Sequence, residues 1–330
     1  IREVFSASNL YRALHTGYEE LGLFASWAML LEDDFDTVIH AVPFTIGEFA
    51  IGVNEKGRPD SLAREFPMTV GQLVEKFGIG KVSPNVKNQY DRGQLDAWIT
   101  TRHVIQPNPI GISGTRDNTR MKFSSVYWEP SQNNATVLRE SGYENFPALA
   151  PRWSVTSQDV YGQGPGMEAL GDVKQLQHEQ LRKAQGIDYM SNPPIVAPTA
   201  YKDAAHHRLP GGVLFSDDPA KIRSAFEVRI ELQHLLADIN DVRKRIENAF
   251  YVDMFLMIAN DMRSGVTATE IAERHEEKLL MLGPVLERLH DELLSPLIDR
   301  TFERCAKAGI LPQPPEVLRG MEVNIEFIST

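Results

Sequence analysis

The chain has 330 residues and a mass of 37.1 kDa, and its 42% hydrophobic and 24% charged residues give the balance of a folded chain of one large or two ordinary domains. A formal net charge of -11 argues against a protein that grips nucleic acid by neutralising phosphates, and no apolar run approaches the roughly 20 residues that span a bilayer. The single cysteine, Cys305, excludes an internal disulfide and reads as a small buried residue in the last turns of a helix.

Residues 8–24 fit an amphipathic helix, and residues 27–31, 37–42 and 48–53 read as strands. Asn54-Glu55-Lys56-Gly57 turns the last of these into a further strand over 61–66. Thr69-Val70-Gly71-Gln72 has the spacing of a capping box, opening a short helix that stops at Gly78. Ser83-Pro84 starts the next helix, with proline where its missing donor costs nothing. Strands resume over 99–105, 123–128 and 136–140, and residues 107–120 are a long loop rich in Pro, Gly, Asn and Ser. Trp27, Trp98, Trp128 and Trp153 lie near element ends and read as core or interface packing rather than as base-stacking platforms.

Leu170, Val173, Leu176, Ala184 and Ile187 give residues 166–190 an apolar helical face. The following stretch, 192–217, is too short for a core of its own and must pack on something else. Asp218-Pro219 is a strong helix start. From there Ala225, Val228, Leu232, Leu235, Ile239, Val242, Ile246 and Ala249 fall at alternating steps of three and four, the spacing of a helix packed lengthwise on others. Arg229 and Arg243 flank this seam on one side, and Glu231, Asp238 and Arg245 on the other, where neighbouring helices could pair charges. The pattern fits an intersubunit contact or an ordinary helix buried within one domain.

The apolar run 250–259 gives way to the turn-rich Asn260-Asp261-Met262-Arg263-Ser264-Gly265, and Thr267-Ala268-Thr269-Glu270 caps a further helix. That helix can run to Gly309, a length of about 60 Å. Pro284 and Pro296 interrupt it, predicting bends. Met321, Val323, Ile325 and Phe327 alternate with Glu322, Asn324 and Glu326 as in a strand, and a strand at the last residue suggests that sequence once followed.

Four motifs fail on inspection. Gly80-Lys81 lacks the phosphate-loop pattern, because Glu75 occupies the first glycine position and Val82 follows the lysine. Gly164-Pro-Gly-Met-Glu-Ala169 formally fits a dinucleotide turn with Asp188 at the acid position, but Pro165 cannot donate to a pyrophosphate. His275-Glu276-Glu277-Lys278-Leu279 lacks the second histidine of a zinc helix, and His206-His207 has no cysteine or carboxylate cluster beside it. No catalytic, cofactor-binding or metal-ligating residue is expected, and no cofactor.

Several segments together resemble the portal, or head-to-tail connector, proteins of short-tailed, podovirus-type bacteriophages. They are Val4-Phe-Ser-Ala-Ser-Asn-Leu-Tyr, Ser83-Pro-Asn-Val-Lys, Pro147-Ala-Leu-Ala-Pro-Arg-Trp, Tyr161-Gly-Gln-Gly-Pro-Gly-Met-Glu-Ala-Leu, Val266-Thr-Ala-Thr-Glu-Ile-Ala-Glu-Arg-His-Glu-Glu-Lys-Leu, Leu282-Gly-Pro-Val-Leu-Glu-Arg-Leu and Leu294-Ser-Pro-Leu-Ile-Asp-Arg. They occur in the right order over nearly the whole chain.

The resemblance implies an α+β portal fold that forms a ring: a mixed wing over 1–165, a first stem helix over 166–191, a clip over 192–217 and a second stem helix over 218–255. It further implies a tunnel loop over 256–266, a long kinked wing helix over 267–308 and a returning wing strand over 309–330, with a crown segment beyond. Implied subunit contacts are Leu232, Leu235, Ile239, Val242, Ile246, Arg229, Glu231, Asp238, Arg243 and Arg245. The channel loop would present Asn260, Asp261, Met262, Arg263 and Ser264 to DNA. The clip would present Tyr201, Lys202, His206, His207 and Arg208 to the packaging motor and tail adaptor.

The implied assembly is a homo-oligomer of about twelve copies. Its other partners would be the terminase motor, tail adaptor proteins, capsid and scaffold proteins, and double-stranded DNA sliding through without sequence specificity. An acidic lumen would suit such sliding by repelling phosphates. The resemblance implies no enzymatic activity and no membrane, and a place at the unique capsid vertex of the virion after assembly in the host cytoplasm. A nucleotide-dependent enzyme built on the 164–169 turn, or a generic helical scaffold or adaptor, are the rival readings.

Overall fold

The computed structural model describes residues 1–115, 117–130, 135–192, 195–198, 213–216, 232–254, 256 and 282–311. The chain divides into two compact units, Ile1–Gly164 with Ala272–Thr330, and Pro165–Ile271. Helices and sheets both contribute, as in an α+β chain.

In the first unit α1 (Arg2–Ala7) and α2 (Leu10–Phe24) lead into the hairpin of β1 (Ala28–Asp34) and β2 (Val38–Phe44). A five-stranded antiparallel meander follows, in the order β3 (Phe49–Val53), β4 (Pro59–Thr69), β5 (Trp98–Pro107), β6 (Phe123–Glu129) and β7 (Thr136–Tyr143). Between β4 and β5 the chain makes α3 (Val70–Phe77) and α4 (Pro84–Asp91). The short β8 (Ala148–Leu149) pairs with β1, giving a three-stranded sheet in the order β2-β1-β8.

β1 is the central strand of that sheet and is covered on both faces. Successive side chains point to opposite sides, so Met29 and Leu31 join Leu10, Ala13, Leu21 and Trp27 in one core, while Ala28 and Leu30 join Phe44, Ile51, Leu62 and Ile105 in a second. This is why residues 28–31 are apolar without a break. Trp27 fits beneath α2 because residue 17 is glycine: a Cβ there would stand 2.2 Å from the indole ring. At the sheet edge, Asn9 replaces a missing strand by donating to the Ala41 carbonyl (2.7 Å) and accepting from its N–H (2.8 Å).

The local signals hold in detail. Gln72 N–H donates to Thr69 Oγ1 (3.3 Å) and Thr69 N–H to Gln72 Oε1 (3.0 Å), closing the expected capping box. Ser83 Oγ caps α4 through the Val86 N–H (3.3 Å). α2 begins two residues later than expected, because Ser8 closes α1 by donating to the Phe5 carbonyl.

The second unit contains α5 (Pro165–Glu168), α6 (Leu170–Ser191), β9 (Ile195–Pro198), β10 (Val213–Ser216) and α7 (Leu232–Ala249), with β9 and β10 paired in parallel. The second stem helix was expected to reach residue 255. Instead α7 ends at Ala249, Tyr251 adopts a left-handed φ of 56°, and residues 252–254 are helical again.

The chain then returns to the first unit through helical residues 282–289, a π turn at His290–Leu294 and α8 (Ser295–Lys307). The π turn stands immediately before Pro296, one of the two prolines expected to disturb this helix. Ser295 N–H reaches back five residues to the His290 carbonyl, a widened turn that accommodates the ring behind it. α8 ends as its sequence predicts. Gly309 takes φ 71°, its N–H donates to the Ala306 carbonyl and the Ile310 N–H to the Cys305 carbonyl, a Schellman cap. Cys305 is buried.

The π turn sets Glu292 against Arg152, which is 1% exposed. Arg152 Nε and its backbone N–H donate to Glu292 Oε2 (3.1 and 3.0 Å), and Nη2 to Oε1. The guanidinium also donates to the carbonyls of Val160 (3.1 Å) and Gly57 (2.7 Å), and Arg288 adds a second cation to Glu292 at 3.1 Å. Three distant stretches of chain therefore meet on one side chain.

A second polar cluster lies inside the meander. His103 is 1% exposed and stacks on Tyr127 with ring centroids 3.6 Å apart. Arg64 Nε donates to His103 Nδ1 (3.2 Å), so the ring proton sits on Nε2, 2.9 Å from Ser125 Oγ. Burial, and then the charges of Arg64, Arg139 and Lys76, lower the imidazole pKa to about 2.

Two outcomes follow. Because the unfolded chain takes up the His103 proton near pH 6.5 and the folded chain does not, stability falls by about 1.4 kcal/mol per pH unit from this group as pH drops below that value. His103→Gln should flatten that part of the stability–pH curve, as read from denaturant midpoints between pH 4 and 7; an unchanged slope contradicts the assignment. Arg152→Ala leaves the Glu292 carboxylate to Arg288 and also removes the donors to the Val160 and Gly57 carbonyls, and should cost about 3–5 kcal/mol in urea unfolding at fixed protein concentration. Glu292→Gln, which still accepts hydrogen bonds, should cost less; a loss under about 1 kcal/mol for Arg152→Ala would contradict the role of this pair.

Candidate functional site

α6 and α7 pack against one another in the second unit. Arg245, near the C-terminal end of α7, reaches the first turns of α6: its Nη2 lies 3.0 Å from Asp172 Oδ1 and donates to Gln175 Oε1 at 3.2 Å. The two helices are thus antiparallel. Arg245 Nη1 also pairs with Asp241 at 3.0 Å one turn back, which fixes the fork before it crosses. On α6 the buried residues are Glu179 and Gly186, with Gln175 Nε2 donating to Glu179 Oε1 at 2.7 Å.

The heptad residues divide sharply. Ile239 and Val242 are 1% and 0% exposed within a single chain, and Leu235 and Ile246 are half-buried beside them. The middle of the seam is therefore closed by α7 packing on its own chain, and Arg245 is committed to α6. Asp238 and Arg243 are exposed, and Leu232 opens the helix. The hairpin leaves a different set of apolar side chains in solvent: Leu181, Ile187 and Met190 on α6 and Leu236 on α7. Leu181, Met190 and Leu236 lie off the faces that the periodicity singles out, whereas Ile187, like Leu170, belongs to the apolar face expected of α6 and is nevertheless exposed.

Arg229, Glu231, the clip residues Tyr201, Lys202, His206, His207 and Arg208, and the loop residues Asn260, Asp261, Met262, Arg263 and Ser264 lie outside the described residues.

The turn beginning at Gly164 has a packing explanation. A Cβ on Gly162 would stand 2.2 Å from the Ala25 carbonyl oxygen, and one on Gly164 would stand 2.8 Å from Ala25 Cβ and 3.1 Å from the Trp153 ring. These glycines let the chain lie flat on Ala25 and Trp153, and the helix that follows is a single four-residue turn. Among the described residues no group of three or more His, Cys, Asp or Glu side chains could hold a metal ion, and no helix is long and apolar enough to cross a membrane.

The first unit carries a feature that periodicity does not reveal, a cleft of about 510 Å³ between the β3–β4 turn, β8 and the returning helix. Phe146, Ala148 and Ala150 give it an apolar floor, and Lys56, Arg58 and Arg300 stand around it. Arg300 Nη1 donates to the Ala148 carbonyl (2.6 Å) and its guanidinium lies 6.0 Å from the Phe146 ring centroid. Among the described residues it has no carboxylate at ion-pair distance. Burial first, and then the neighbouring Arg304, press its ionisation down to about 9.

Comparison with known proteins extends this geometry. The family described as "Bacteriophage head to tail connecting protein" matches residues 1–330. The "Probable portal protein" of Bordetella phage BPP-1 is 52% identical over 329 residues, covering 99% of this chain and 59% of that protein. The "Portal protein" of Salmonella phage epsilon15 is 45% identical over 333 residues, covering 100% of this chain and 60% of that protein. The chain thus spans about three fifths of the length of these relatives. A match from the first residue to the last, with two such relatives beside it, places the chain in the bacteriophage head-to-tail connecting protein family.

Proposed function

We propose that this chain acts as a phage portal subunit, which assembles as a ring at one capsid vertex and passes the genome inward during packaging and outward during ejection. The observation that carries this reading is the family match over residues 1–330, together with relatives named as portal proteins. The structure supports it in one respect: the α6–α7 hairpin keeps Leu181, Ile187, Met190 and Leu236 uncovered after closing its own seam. Apolar side chains left in solvent on more than one side of the helix pair suit lateral contact with neighbouring copies, heterologous contacts whose rotation closes make a ring, and the resemblance to portal proteins sets its expected size at about twelve.

In this reading residues 1–165 build the wing and the hairpin is the stem. Residues 192–217 form the clip facing the terminase motor and tail adaptor, and residues 256–266 the loop that meets DNA. The long helix over 267–308 crosses the wing, and residues 309–330 return to it. Chemical energy comes from the terminase, and this chain contributes geometry rather than catalysis. Capsid and scaffold proteins surround the ring in the virion and in its precursor, which assembles in the host cytoplasm. Arg263 offers DNA a weak phosphate contact without sequence information, which lets the duplex slide.

Procapsids assembled without the full-length protein should take up no DNA in a terminase-driven packaging assay, and adding it during assembly should restore filling. Shortening residues 258–265 to a minimal glycine turn should leave ring assembly intact while lowering packaging or retention of DNA. Full packaging with normal retention by that variant would remove the loop from the mechanism, and filled capsids lacking the protein altogether would refute the portal assignment.

A further inference from the structure

The β1–β2 hairpin ends in Asp33-Asp34-Phe35-Asp36-Thr37, and the ring of Phe35 is wholly in solvent, at 108% relative exposure. The tip is built rather than frayed. Asp34 Oδ2 accepts from the Thr37 N–H (3.1 Å) and hydroxyl (2.5 Å), and Asp33 is held by Arg304. The Thr37 hydrogen bonds keep the Asp34 carboxyl below its usual range and therefore charged. An isolated exposed aromatic means little without a place to put it.

The same unit supplies that place. The cleft beneath Arg300 has an apolar floor of Phe146, Ala148 and Ala150. On its rim Lys56 and Arg58 are exposed and, like Arg300, make no ion pair among the described residues. Glu287 and Asp291 also face it, while Glu292 is taken by Arg152 and Arg288. Among the lining residues the four cations Lys56, Arg58, Arg288 and Arg300 outnumber the three carboxylates Glu287, Asp291 and Glu292 by one. Its volume of about 510 Å³ accommodates an aromatic side chain with its flanking residues.

A subunit's own Phe35 cannot enter. Ala148 of the cleft floor is paired with Leu30, and Phe35 lies five residues further along β1, about 16 Å away at 3.3 Å per residue. The ladder to β2 continues to the last pair, Asp34 with Val38, so the tip cannot fold back. Tip and cleft are two different surfaces of one unit: the tip carries Asp34, Asp36 and an aromatic ring, and the cleft has a mixed lining in which Lys56, Arg58 and Arg300 stand beside Phe146 and Pro296.

We infer that Phe35 of one copy seats in the Arg58–Arg300 cleft of the next, with Asp34 and Asp36 meeting the cationic rim. The contact is heterologous: each copy offers one tip and one cleft, so repeating it consumes both and can close a ring. The inference rests on the portal reading for the ring itself and adds the contact that sets its neighbours.

The test places a photo-crosslinking benzoylphenylalanine at position 35 of the full-length protein and irradiates assembled particles mixed from isotopically light and heavy copies. The expected result is a ladder of covalent multimers, with light–heavy adducts on peptides spanning residues 56–59, 146–150 or 287–300. In parallel, Phe35→Ala and Arg58→Glu should each raise the protein concentration at half-assembly at least tenfold with unchanged circular dichroism, and Asp36→Lys should recover part of the Arg58→Glu loss. Rings that form without a ladder, adducts confined to other segments of the chain or to another protein, or unaltered assembly of both variants would overturn the tip-and-cleft contact and leave the portal reading standing. Absence of any ring from the unmodified protein would overturn both.

Discussion

One buried guanidinium ties the first unit together. Arg152 is fixed by the Glu292 carboxylate and by carbonyls from the β3–β4 turn and from Val160, so it joins segments 140 residues apart in sequence. Its removal would free more than a pair of charges. Leu293 and Leu297, which complete the core around β1, belong to the helical segment that Glu292 anchors. The π turn before Pro296 turns a helix interruption into a fixed carboxylate position. Buried ion pairs give little net stability against an apolar alternative, but they specify which segments meet, and that is the use this fold makes of one.

The second unit follows a different logic. An antiparallel helix pair closes one apolar seam and exposes whatever lies off it. Ile239 and Val242 answer the first requirement within the chain, and Arg245 locks the register by reaching Asp172 and Gln175. Leu181, Ile187, Met190 and Leu236 are among the apolar side chains that remain in solvent, with Leu170. A monomer leaves them in water; neighbours in a ring would cover them, and the same is true of Phe35 in the first unit.

Much of the first unit was legible in the sequence because its signals are local. The Thr69 capping box, the Ser83-Pro84 helix start, the Asn54–Gly57 turn and the Gly309 cap each depend on residues within one or two turns of one another. The meander strands were readable from β-branched and aromatic runs bounded by turn residues. What escaped was non-local. Nothing near Arg152 in sequence announces Glu292, and nothing near Arg300 announces a cleft whose other wall is a hairpin turn more than 240 residues earlier. The heptad of α7 was visible, but periodicity cannot say whether the partner is the same chain or another, and the structure gives its central positions to α6. The break at Tyr251 carries no sequence signal, since neither glycine nor proline stands there.

The account rests on the claim that surfaces left uncovered in one chain are covered by identical neighbours. Cryo-electron microscopy of the purified full-length protein tests it most directly. The account predicts closed rings with a central channel, the α6–α7 hairpins side by side around it, and Leu181, Ile187, Met190 and Leu236 occluded between copies. A monodisperse monomer, or rings in which these residues face open solvent, would contradict it.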